Sequence, residues 1–138
     1  MIRARTTGDG GASALEFAFV LPMLLLILFS IIEYSWFMME QIVLVNAASS
    51  GARAGVKARE WEDEDPADMA RKAVQASFWV ADLPGSNIEV NDSYRLEDDG
   101  PRMIEVKIKD LAYTQLTGFL PGAMAPKVLN ATAVMTFP

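Results

Sequence analysis

Three observations point to an α+β fold that begins with a long helix. An uncharged apolar run occupies Phe17–Ile32. Apolar and small residues at helical spacing carry that pattern on to Ala58, and from Met103 onward apolar and charged residues alternate with the period of a strand. The predicted architecture is a long N-terminal helix, membrane-spanning in its first half and packed on a domain in its second. A short second helix and an antiparallel sheet of three to four strands follow. A chain of 138 residues suits one modest domain once that helix is set aside.

The helix is read in two parts. Phe17–Ile32 (FAFVLPMLLLILFSII) holds no charge, and at about 1.5 Å per residue it spans roughly 24 Å, slightly less than a bilayer core. Ala12–Leu15 or Tyr34–Met39 extends it to a full span. An apolar surface on every side leaves no wet face, which favours lipid over a protein core. Pro22 lacks an amide donor and is expected to loosen or kink its turn.

Arg3 and Arg5 precede the run, and the next basic residue is Arg53, so the positive-inside rule places the N-terminus in the cytoplasm and the bulk outside. The residues after the run, IIEYSWFMMEQ, lack the small-x-small site of an ordinary signal peptidase, so the helix is expected to stay attached. From Gln41 to Ala58, Ile42, Val45, Ser49, Ala52 and Val56 form the stripe expected to face the domain. Ala48, Ala52 and Gly55 are small enough to admit another backbone.

Trp61 and the acidic run after it interrupt the helix. Asp65 then resembles an N-cap, with Pro66 at the first helical position and Asp68 in the first turn. This second helix is expected to reach about Asp82, burying some of Met69, Ala73, Ala76, Phe78 and Val80, with Leu83-Pro84-Gly85 ending it. Ile88–Val90 and Tyr94–Leu96 read as short strands, and Glu97–Pro101 as a turn. Met103–Lys109 alternates with Ile104, Val106 and Ile108 inward. A glycine- and proline-bearing loop from Thr117 to Pro126 leads to a last strand with Leu129, Ala131, Ala133, Met135 and Phe137 on one face. A sheet with one wet face needs a helical cover on the other, which the second half of the long helix supplies. No internal repeat or low-complexity linker is present.

Composition narrows the chemistry. The chain has no cysteine and no histidine, which removes disulfides, the usual zinc sites, Cys-His and Ser-His nucleophiles and the commonest general base. No catalytic residue, cofactor or metal is expected. A carboxylate hydrolase anchored in the membrane has no supporting constellation. The net charge of −6 and the lack of a basic stripe argue against nucleic acid. Four of the 18 acids (Asp9, Glu16, Glu33, Glu40) precede Glu60, so a membrane-compatible segment comes first and a soluble domain after it. The cluster Glu60, Glu62, Asp63, Glu64, Asp65 and Asp68 lacks the spacing of a calcium loop and reads as a solvated turn. Glu33 reads as a carboxylate at interface depth rather than a proton relay.

The most informative spacing is Gly11-Ala12-Ser13-Ala14-Leu15-Glu16-Phe17, a glycine followed five residues later by a glutamate at the head of the apolar run. A carboxylate there is costly in lipid unless it reaches headgroups and water, or meets a partner charge. If the chain is cut after Gly11, the new α-amino group of Ala12 is one that a neighbour's Glu16 can neutralise. A tether serving only as an anchor for an extracytoplasmic binding module needs no such spacing, and this remains the alternative reading.

Gly11–Tyr34 (GASALEFAFVLPMLLLILFSIIEY) and the later block Asn46–Arg53 (NAASSGAR) resemble the TadE-like proteins of the tight-adherence (Tad) type IV pilus system, including the class III signal peptide of type IV pilins and pseudopilins. The resemblance implies a pilin-like fold, a leader of residues 1–11 and cleavage between Gly11 and Ala12 by a prepilin peptidase. It further implies a transmembrane and assembly helix over 12–39, in which Glu16 and Phe17 serve assembly, and an extracytoplasmic domain over 40–138. The implied role is a non-enzymatic minor pilin or pseudopilin that helps build an adhesive fibre. Its implied partners are other pilin subunits and the assembly platform of the bacterial inner membrane. The major Tad pilins are far shorter and lack such a domain. That difference leaves open whether the chain enters the fibre or stays uncleaved in the membrane.

Overall fold

Leucines and a methionine dominate Met23–Leu28 and favour a helix, and no glycine interrupts the chain between Gly11 and Gly51. The computed structural model, which describes residues 9–59, 62–95 and 100–138, accordingly opens with one helix of 48 residues, α1 (Asp9–Val56). Helical structure runs through Pro22. Ser30 and Ser35 donate their hydroxyls to the carbonyls of Leu26 and Ile31, both at 2.7 Å, which satisfies them without water. The helix closes with i to i+3 bonds from the Lys57 and Ala58 amides, each 3.2 Å long, and Arg53 lies in its last turn, where its charge suits the helix dipole.

The chain forms two compact units. One combines the helix up to Ser35 with Gln115–Ala125; the other comprises Trp36–Thr114 and Pro126–Pro138.

In the second unit a short helix, α2 (Pro66–Ser77), precedes a 3-10 turn (Gly85–Asn87) and three strands, β1 (Ile88–Tyr94), β2 (Met103–Ala112) and β3 (Val128–Thr136). They form an antiparallel sheet in the order β1-β2-β3, with Val90 opposite Val106 and Val106 opposite Ala133. Ile88, Ile104, Val106, Ile108, Leu129 and Ala131 are buried on one face, and share a core with Leu44, Ala47, Ala48 and Ala52 of α1 and with Ala70 and Val74 of α2. The two short strands expected over 88–96 are one strand, with a register shift between Asn91 and Tyr94; Leu96 lies outside the described residues.

Asp65 caps α2 as expected, its carboxylate accepting from the Ala67 amide at 3.0 Å, with Pro66 at the start. The helix ends at Ser77 rather than near Asp82. The Phe78 amide still bonds to Val74, but Phe78 itself is extended and turns its ring into the core. The buried positions are Pro66, Ala70, Val74 and Phe78, four residues apart. Met69 and Ala73 are half-buried and Ala76 is exposed, because the face toward α1 must be narrow.

The same narrowness corrects the stripe on α1. Ile42 is 62% exposed and Val45 41% exposed, whereas Leu44, Ala47, Ala48, Gly51, Ala52 and Gly55 face inward. A Cβ on Gly51 would strike Val74 and lie 3.0 Å from the Ala70 carbonyl. One on Gly55 would strike Ile104 and lie 3.0 Å from the Pro66 carbonyl. Two helices this close leave room for hydrogen and methyl groups, and branched side chains turn away.

β2 extends three residues past the alternation visible in sequence. Asp110 takes a left-handed conformation (φ 51°), its amide bonds to Asn130 Oδ1 at 2.9 Å, and the register with β3 shifts between Ile108 and Leu111. This extra residue exchanges the two faces, so Leu111 and Tyr113 now point inward where Ile104, Val106 and Ile108 did before it. Tyr113 meets Phe37 edge-on, with ring centroids 5.3 Å apart.

Candidate assembly and anchoring site

Gly11, Ala12, Glu16 and Phe17 all lie in the first turns of α1 and all are exposed. Nothing comes within 4 Å of the place where a Cβ of Gly11 would be. Residues 1–8 of the expected leader lie outside the described residues. After Glu16 the next acid is Glu33, and between them six consecutive residues, Met23 to Leu28, are each at least 37% exposed. Successive helical positions are about 100° apart, so this run is open at every azimuth. Its mean hydropathy reaches 2.6 over 18 residues with none of that window buried. This helix has the length and apolarity of a membrane anchor.

Glu33, expected as a carboxylate at interface depth, is wholly buried within the protein, and its partners are what sequence reasoning missed. The segment Gln115–Ala125 folds against the helix, and one oxygen of Glu33 accepts from the Leu116 amide at 2.9 Å. The other accepts from the Thr117 amide at 2.9 Å and the Thr117 hydroxyl at 2.7 Å. Hydrogen bonds to a charged group are worth roughly 1.5–3 kcal/mol each, so this carboxylate is a strong clamp on the segment. The ring of Phe119 stacks on Phe29 (4.4 Å, 12°), and Tyr34 donates its hydroxyl to the Met124 carbonyl at 2.6 Å. Pro22, Leu25, Leu26, Phe29, Phe119 and Leu120 line an open apolar cavity of about 250 Å³. An acid followed by tyrosine within an apolar helix, and a charge-free loop far along the chain, were the visible signals. Nothing in the sequence paired them.

The acidic cluster holds its own cations. Arg59 pairs with Glu62 at 2.9 Å and Glu64 at 3.5 Å, Arg71 pairs with Asp68 at 3.3 Å, and Asp65 caps α2. Glu60 lies outside the described residues. Among the described residues no group of three or more acids is placed to hold a metal ion.

An exposed apolar helix headed by the Gly11–Glu16 spacing, and continuing into a small-residue face, is the pattern that comparison with known families tests. Residues 11–53 match the TadE-like protein family. The match begins at the proposed cleavage glycine and ends three residues before α1 does, so it covers the helix and none of the sheet. The TadE-like proteins are structural and associated with Tad pili, and the TadE-like segment of this chain carries their N-terminal apolar helix. No curated protein and no solved structure matched the chain.

Proposed function

We propose that the chain is a minor pilin or pseudopilin of a Tad-type adhesive pilus, and that it has no catalytic role. A prepilin peptidase removes residues 1–11 between Gly11 and Ala12. The helix over 12–39 holds the protein in the bacterial inner membrane with its N-terminus cytoplasmic, and residues 40–138 form the extracytoplasmic domain. On meeting the assembly platform, the helix packs with those of other pilin subunits, and the new α-amino group of Ala12 neutralises the Glu16 carboxylate of a neighbour. Phe17 flanks that pair. The observation that supports this reading best is Glu16 itself: a carboxylate exposed at the head of a charge-free apolar run, Phe17–Ile32.

The test uses the full chain expressed with its cognate prepilin peptidase, and with Glu16→Ala as the variant. The native protein loses eleven residues, read by N-terminal sequencing of the membrane extract. Glu16→Ala still enters the inner membrane but fails to give fibres. Recovery of an intact Met1 removes the cleavage and supports a simple tether. Normal fibres from Glu16→Ala remove the charge pairing.

A further inference from the structure

The loop Gln115–Ala125 contains no charged residue, and its nearest charges along the chain are Asp110 and Lys127. Yet it exposes Leu116 (53%), Phe119 (67%) and Met124 (53%). Loops that carry large apolar residues outward on both sides are unusual in water. This one is packed along the apolar part of α1. Its contacts run from Tyr34 and Glu33 back to Phe29, about 6 Å along the helix axis from Glu33, and its flank reaches the cavity at Leu25 and Pro22. If the helix spans a bilayer, the loop lies at the depth of the hydrocarbon edge.

We propose that Gln115–Ala125 is a lipid-inserted loop, held in the outer leaflet by the Glu33 carboxylate, with Leu116, Phe119 and Met124 in contact with acyl chains. Irregular backbone enters hydrocarbon only when its polar groups are paired within the protein. Here part of that pairing is built in. The amides of Leu116 and Thr117 go to Glu33, the amides of Met124 and Ala125 go to the Pro121 carbonyl at 2.8 and 3.2 Å, and the Met124 carbonyl takes the Tyr34 hydroxyl. A buried carboxylate that binds two loop amides and a hydroxyl has its charge spread over donors rather than left facing lipid. A bilayer fits better than a second copy of this chain, because the helix next to the loop is exposed at every azimuth over Met23–Leu28. Lipid covers every azimuth at once, whereas one neighbour covers a single face.

The proposal rests on the anchor reading, and the experiment separates the two. The chain has no cysteine, so single cysteines carry a spin label without background. Leu116→Cys, Phe119→Cys and Met124→Cys are compared with Phe19→Cys on the apolar helix and Thr132→Cys on β3. All are full-length chains in vesicles of phosphatidylethanolamine and phosphatidylglycerol. The loop labels are expected to collide with oxygen and to be shielded from an aqueous nickel chelate, as at Phe19→Cys, at any dilution with unlabelled protein. Adding Glu33→Ala is expected to return the loop labels to nickel while Phe19→Cys stays shielded. Loop labels as open to nickel as Thr132→Cys, with Phe19→Cys shielded, overturn the loop proposal and leave the anchor standing. Spin–spin broadening that fades on dilution shows a second copy on the loop and also overturns it. An exposed Phe19→Cys overturns both.

Discussion

From Phe17 to Leu28, α1 is apolar and large residues are exposed on every side; from Trp36 to Val56 the same helix divides into unlike faces. In the second stretch Met38, Ile42 and Val45 are exposed, and the opposite face narrows from Leu44 to Ala47, Ala48, Gly51, Ala52 and Gly55. Both stretches are hydrophobic, so hydrophobicity alone does not tell them apart. The size of the residues on each face does. A bilayer accepts large side chains at all azimuths, whereas a folded core at short helix–helix distance admits small ones on a single stripe.

If the second stretch is core and the first is not, cutting the chain between them separates anchoring from folding. A chain beginning at Trp36 keeps every residue of α1 that joins the core and is expected to melt in one cooperative transition. One beginning at Glu60 loses Leu44, Ala47, Ala48 and Ala52, exposes the inner face of the sheet, and is expected to show no cooperative melt and to aggregate. Equal midpoints for the two in urea would mean that the helix is not part of this core.

The next largest contrast lies within one turn of the helix. Leu44 is wholly buried and Ile42 is exposed. Leu44→Ala is expected to destabilise the domain by about 3–4 kcal/mol and Ile42→Ala by less than about 0.5 kcal/mol, measured by urea unfolding in detergent. The reverse order would restore the stripe read from the sequence. Gly55→Val probes the same face by excess volume, with an expected loss of about 2–3 kcal/mol, since the Pro66 carbonyl it would meet is backbone and cannot swing aside. Ala18→Val, on the exposed apolar stretch, is expected to leave the unfolding midpoint unchanged.

These contrasts also mark what the sequence could disclose. The long helix, the Asp65 cap, the inward Ile104, Val106 and Ile108, and the alternating last strand were legible because each rests on local periodicity or local capping chemistry. The error at Ile42 and Val45 came from weighing hydrophobicity above size at a helix contact that brings together residues far apart in sequence. The bulge at Asp110 was hidden because the residue completing it, Asn130, lies on the next strand. The partners of Glu33 were hidden for the same kind of reason. Leu116 and Thr117 are more than eighty residues away, and a lone acid in an apolar helix carries no mark of what will bind it. The Gly11–Glu16 spacing was legible as a motif, but its proposed partner is another subunit.

The smallest expected effect concerns the polar junction after α1, where the domain-packed stretch ends in charges rather than lipid. The Arg59 amide donates to Glu64 at 2.9 Å and holds that carboxyl below its ordinary pKa; desolvation opposes the shift, and the Arg59 guanidinium adds smaller contributions in the lowering direction. A carboxyl whose pKa is lower in the folded state binds fewer protons there than in the unfolded chain. Its contribution is therefore complete above the unfolded pKa near 4.5 and is lost as pH falls through the folded value. Glu64→Gln is expected to flatten stability against pH slightly in that acid window and to change nothing at neutral pH beyond the loss of one exposed ion pair, which is a small term at a wet surface. Urea midpoints of the native and Glu64→Gln chains, taken from neutral pH into the acid range, read the difference directly. Parallel curves would show that the junction is held by the turn's backbone alone. Curves that converge as pH falls would assign Glu64 to holding the end of α1 against the start of α2.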